Sequence, residues 1–111
     1  MSYDENTFTA YRKANEAFAK SIARDMQDGD CIWVHDYHLM LLPLLLRQQA
    51  ENLKITIRVG WFLHTHFPEK DIFARLPSRS EILDGIHSAD VIGFQTDEAR
   101  RNFRETSYLH L

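Results

Sequence analysis

A short unbroken apolar run, residues 31–34, and a segment rich in β-branched and aromatic residues, residues 55–63, each stop abruptly at histidine, the first in His35-Asp36-Tyr37-His38 and the second in His64-Thr65-His66. Both read as strands, and the first, being continuous, reads as one covered on both faces. The second, with Ile55, Thr56, Ile57, Val59, Trp61 and Phe62, is the strongest strand signal in the chain. Strands of this kind that alternate with helical segments leave few options. The chain is expected to form a parallel sheet joined by right-handed crossovers, the doubly wound α/β class.

The helical segments have their own signals. Between residues 7 and 27, Phe8, Tyr11, Ala14, Phe18, Ile22 and Met26 recur at spacings of three and four, which predicts one apolar helix face, stopped by Asp28-Gly29-Asp30. Residues 39–49 form a second, Leu-rich helix that tolerates Pro43 if it begins within a turn of it or kinks there. After Phe67-Pro68, Glu69 and Asp71 suit the start of a short helix, and Ser78-x-x-Glu81 offers a capping box for a helix over residues 81–87. A third strand is expected over residues 91–95, followed by a helix capped by Thr96 with Asp97 and Glu98 in its first turn. Three strands make part of such a sheet, with one edge and one apolar face left uncovered. No repeat or flexible linker divides the chain, so residues 1–111 read as a single domain.

Composition narrows the function. Of 111 residues, 44% are hydrophobic and 26% charged, in the range of chains that fold around a core. A net charge of −3 supplies no basic field for nucleic acid or an anionic membrane. The apolar stretch at residues 39–46 is too short to span a bilayer, and the first residues lack a secretory signal. Cys31 has no second cysteine to pair with and reads as a small buried apolar residue in a reducing, cytoplasmic setting.

In open parallel sheets ligands gather beyond the carboxyl ends of the strands, and here that edge carries His35, Asp36, Tyr37, His38, His64 and His66. An ionised Asp36 accepts hydrogen bonds from sugar hydroxyls, and a neutral histidine both donates and accepts, so the set suits a carbohydrate. Taken singly, the histidines read as solvated side chains, Asp36 as a capping carboxylate and Tyr37 as packing; the meeting of two strand ends favours a site. A metal held by His35, Asp36, His38, His64 and His66 is the rival reading, without the compact ligand spacing of a zinc site. No glycine-rich phosphate loop is present.

The string Trp33-Val34-His35-Asp36-Tyr37-His38-Leu39-Met40-Leu41-Leu42-Pro43 closely resembles a motif of the trehalose-6-phosphate synthases. The resemblance continues through Gly60-Trp61-Phe62-Leu63-His64-Thr65-His66-Phe67-Pro68, Phe73-x-x-Leu76-Pro77, Glu81-Ile82-Leu83 and Ile92-Gly93-Phe94-Gln95-Thr96, in family order over essentially the whole chain. It implies a partial Rossmann-like parallel sheet with flanking helices, an incomplete domain from the amino-terminal half of a GT-B glycosyltransferase. The implied activity is trehalose biosynthesis: transfer of glucose from UDP-glucose to glucose 6-phosphate with retention of configuration, needing no metal or cofactor. Carried over by residue, Asp36 resembles the carboxylate that contacts glucose 6-phosphate, and His64 the histidine at the donor glucose and the catalytic candidate. His66 stands where the family usually has proline. The arginine and lysine that bind the UDP phosphates belong to a carboxyl-terminal domain outside these residues, so the fragment alone is expected to be inactive. Related proteins include non-catalytic regulatory subunits, which leaves that role, an oligomer and a trehalose-synthesising complex open.

Overall fold

The computed structural model describes residues 5–68, 73 and 78–110. Helix α1 (Glu5–Ala23) leads into β1 (Cys31–His35), a short 3-10 turn (Tyr37–Leu39) and α2 (Leu42–Leu53). β2 (Arg58–Leu63), α3 (Arg79–His87), β3 (Val91–Phe94) and α4 (Asp97–His110) follow. The strands form one parallel sheet in the order β1-β2-β3, with Val34 opposite Trp61 and Trp61 opposite Ile92. The short helix expected from Glu69 and Asp71 lies outside the described residues, apart from Phe73, which is buried.

Consecutive strands that are also neighbours, joined by crossovers of one hand, put their connecting helices on the same side of the sheet. One core results: Val34, Val59, Trp61 and Leu63 from the sheet meet Leu42, Leu46 and Ala50 of α2, Ile82, Leu83 and Ile86 of α3, and Ala99 and Phe103 of α4. Pro43 falls in the first turn of α2, where its missing N–H costs nothing. Thr96 accepts the amide N–H of Ala99 at 3.1 Å, the cap expected for α4.

The other face of the sheet has no helix over it among the described residues. Alternation along β1 sends Cys31, Trp33 and His35 to that face, so β1 is half-exposed rather than covered on both sides, and Cys31 is exposed rather than buried. Trp33 covers Gly60, where a Cβ would stand 2.5 Å from a ring carbon, and Phe62 covers Gly93 in the same way at 2.6 Å. The apolar run could not reveal this, because coverage of a strand depends on elements far away in sequence.

Two further expectations are corrected. The buried face of α1 is Phe8, Asn15 and Ala19, flanked by Tyr11, Ile22 and Met26, while Ala14 and Phe18 are exposed. At 3.6 residues per turn positions 8, 11, 15, 19 and 22 share one narrow arc, and Ala14 and Phe18 fall to one side of it. The capping box at Ser78 does not close through side chains: Ser78 makes no side-chain cap bond, and Glu81 forms a two-pronged ion pair with Arg12 of α1, both contacts at 2.8 Å. A bidentate guanidinium satisfies both carboxylate oxygens at once, which a single backbone N–H cannot.

At the amino end of the strands Arg47 of α2 binds the carbonyls of Ser88 and Ile57 and the carboxylate of Asp90, which also accepts the amide N–H of Val59. The Val59 N–H and then the Arg47 guanidinium hold the Asp90 carboxyl below the ordinary carboxylate range. A depressed folded-state value means the contribution is complete above that range and is lost as the pH falls through it. Arg47→Ala is expected to cost about 1–3 kcal/mol at neutral pH. Its gap from the parent should narrow in urea melts only as the pH falls below the ordinary carboxylate range, where Asp90 becomes protonated. A second expectation concerns Gly85 of α3, where a Cβ would sit 2.9 Å from the Leu41 Cα and closer still to the Met40 carbonyl. Gly to Ala within a helix ordinarily stabilises, but here Gly85→Ala should lower stability by about 1–3 kcal/mol in thermal unfolding, because backbone is what it strikes.

Candidate active site

β1 and β2 lie in register so that their histidine ends meet. His35 closes β1 opposite Phe62, and His64 follows β2 directly. His35 Nδ1 and His64 Nε2 are 3.0 Å apart, with the rings stacked at 5.2 Å between centroids. One nitrogen of that pair donates and the other accepts, so each ring fixes the other's tautomer and orientation. Both are exposed at the carboxyl edge of the sheet.

Asp36, the next residue, has φ 70° and ψ 177°. That region is essentially reserved for glycine and costs of order 1–3 kcal/mol for another residue, so it persists only where the surroundings over-determine it. Here β2 supplies two ties: the Phe62 carbonyl accepts the Asp36 N–H at 2.8 Å, and the indole N–H of fully buried Trp61 donates to the Asp36 carbonyl at 3.1 Å. The carboxylate Oδ1 accepts the Tyr37 amide at 3.2 Å and the Thr65 hydroxyl at 3.3 Å. The second carboxylate oxygen has no partner among the described residues and is presented at the sheet edge beside the histidines.

Helix α1 grips the turn from its other side. The Tyr11 hydroxyl donates to the Tyr37 carbonyl at 2.6 Å and accepts the Met40 N–H at 2.9 Å. Fully buried Asn15 donates to the carbonyls of His38, at 3.1 Å, and Tyr11. Burial pushes the Tyr11 phenol up to about 12, so it remains a donor throughout the neutral range.

A cleft of about 240 Å³ opens next to this turn, lined by Tyr37, Met40, Leu63, Thr65, His66 and Phe67 among others. His66 is therefore at the cleft wall, as is exposed Tyr37, whose ring centroid is 4.2 Å from that of His38. The structure thus pairs His35 with His64, ties Asp36 to Thr65, and sets Tyr37, Thr65 and His66 on one cleft wall. His38 contributes its backbone carbonyl to Asn15, and its side chain is exposed. Among the described residues no three of His, Cys, Asp or Glu are grouped to hold a metal ion, so the five candidate ligands do not form a cluster. Tyr11, Asn15, Trp61 and Thr65 were not foreseen as site residues. Only Asn15 left a signal, as a polar residue inside the apolar stripe of α1.

A Rossmann-like half-sheet with a carbohydrate-suited edge defines a class that the comparisons make specific. The description of Glycosyltransferase family 20 matches residues 1–109, and the chain belongs to that family. It is 52% identical over 103 residues to the UDP-forming alpha,alpha-trehalose-phosphate synthase of Candida albicans, covering 93% of this chain and 22% of that protein. It is 48% identical to the corresponding synthase 1 of Aspergillus fumigatus, covering 93% of this chain and 20% of that protein. The chain therefore spans about a fifth of the length of these relatives. Among solved structures, an Escherichia coli trehalose-6-phosphate protein bound with UDP-2-fluoro glucose superposes with a TM-score of 0.89 at 33% identity, over 98% of this chain and 24% of that one. The N-terminal domain of Candida albicans trehalose-6-phosphate phosphatase superposes with a TM-score of 0.87 at 39% identity, over 97% of this chain and 23% of that one. No helix among the described residues is long and apolar enough to cross a membrane.

The strain at Asp36 is directly testable. Asp36→Gly fits the same backbone without cost, whereas Asp36→Ala keeps the strain and loses the side-chain contacts. The glycine variant should be more stable than the alanine variant by about 1–3 kcal/mol in chemical denaturation.

Proposed function

We propose that these residues form the acceptor and donor edge of the amino-terminal domain of a UDP-forming trehalose-6-phosphate synthase, which transfers glucose from UDP-glucose to glucose 6-phosphate with retained configuration. The observation that carries this reading is the junction of two strand ends, where the strained Asp36 and the His35–His64 pair share one sheet edge. Membership of the family and relatives named as synthases at 48–52% identity support it. So does a solved Burkholderia xenovorans synthase described as a complex with glucose-6-phosphate, at a TM-score of 0.82 and 33% identity, over 93% of this chain and 22% of that one.

Asp36 acts as a hydrogen-bond acceptor for a hydroxyl of the acceptor sugar, and its fixed backbone spares the cost of orienting it on binding. His64, oriented by His35, takes the donor glucose. Neither serves as a nucleophile. Their contribution is to hold donor and acceptor in reactive geometry while positive groups of the second domain stabilise the departing UDP. The setting is cytoplasmic, and association with further subunits of a trehalose-synthesising complex belongs to this reading.

UDP release from UDP-glucose and glucose 6-phosphate, measured on this chain and on the full-length protein that carries it, tests the proposal. Activity is expected in the longer protein alone and should fall by at least about a hundredfold in Asp36→Ala and His64→Ala. A full-length protein that releases no UDP would instead assign the domain a non-catalytic role.

A further inference from the structure

Resting on the assignment of Asp36 to the acceptor sugar, we propose that Tyr11 is a positioning residue for that site, holding the 36–40 turn so that Asp36 keeps its glycine-like backbone. The turn has polar ties on two sides. From β2, Phe62 and Trp61 fix the Asp36 peptide itself. From α1, the single hydroxyl of Tyr11 closes the span of the 3-10 turn by donating to the Tyr37 carbonyl and accepting the Met40 N–H.

A residue at φ 70° and ψ 177° returns to the extended region unless its neighbours forbid it. Trp61 holds the carbonyl of the peptide after Asp36, and Tyr11 holds the carbonyl of the next one, at Tyr37, so a backbone rotation at Asp36 that carries Tyr37 with it must break the 2.6 Å bond. Asn15 adds a third anchor at the His38 carbonyl. Tyr11 sits 25 residues before Asp36 in the chain and has no direct contact with the carboxylate, so its effect on the acceptor travels only through the backbone of the turn. Because burial keeps the phenol protonated, the clamp does not open in the neutral range.

The test uses the full-length protein with Tyr11→Phe, which retains the buried ring and removes the hydroxyl. Loss of two hydrogen bonds at the turn is expected to raise the KM for glucose 6-phosphate by roughly tenfold, with the KM for UDP-glucose changed by less than about twofold. Arg47→Ala, at the opposite end of the strands, is the stability control and should move neither constant selectively. Asn15→Leu, which cuts the tie to His38 at similar volume, predicts the same acceptor-selective change and replaces Tyr11→Phe should that variant not fold. Unchanged constants, or equal changes for both substrates, would overturn the proposal. If the parent protein has no transferase activity, the functional reading fails separately. A crystal structure of the Tyr11→Phe variant then decides: Asp36 relaxed to negative φ supports the clamp, and Asp36 still near φ 70° refutes it.

Discussion

Asp36 occupies a backbone conformation that an aspartate does not adopt unaided, and much of the surrounding fold can be understood as the means of keeping it there. The cost is of order 1–3 kcal/mol, comparable to one or two net hydrogen bonds. Phe62, Trp61 and Thr65 bond Asp36 itself from the β2 side, and Tyr11 and Asn15 of α1 hold the turn that follows it. The Trp61 indole contributes twice, filling the core from the central strand and donating to the Asp36 carbonyl. Core packing and site geometry therefore share one side chain.

The same economy governs the helices. Arg12 of α1 reaches Glu81 of α3, and Gly85 of α3 allows the Met40–Leu41 backbone to approach. α1 and α3 thus both contact the segment that follows Asp36. Arg47 and Asp90 perform the corresponding task at the far end of the strands, remote from the candidate chemistry. One face of the sheet carries this load, while Trp33 and Phe62 form an open aromatic strip on the other, closely seated over Gly60 and Gly93.

Much of this was legible in the residues. The three strands, the parallel order, α2 with Pro43 in its first turn and the Thr96 cap follow from apolar runs and local capping chemistry, which operate within a few residues. The polar edge was legible too, since both strands end in histidine and any parallel pairing brings those ends together. Less was legible on α1, where spacings of three and four admit two overlapping faces; the contacts with α2 and the turn selected the one containing Asn15. Glu81 read locally as half of a capping box and was claimed by Arg12, 69 residues earlier.

The sequence by itself thus determined which segments become strands and helices and which edge collects the polar groups, because periodicity and turn chemistry are local. Tertiary structure alone decided that β1 keeps one bare face, that His35 stacks on His64, and that Asp36 is held at positive φ by Tyr11 and Trp61. Those outcomes depend on partners 25 to 29 residues apart, Tyr11 with Tyr37 at 26, Trp61 with Asp36 at 25 and His35 with His64 at 29. No local pattern encodes such meetings; they exist only once strand register and helix packing have brought the groups within hydrogen-bond reach.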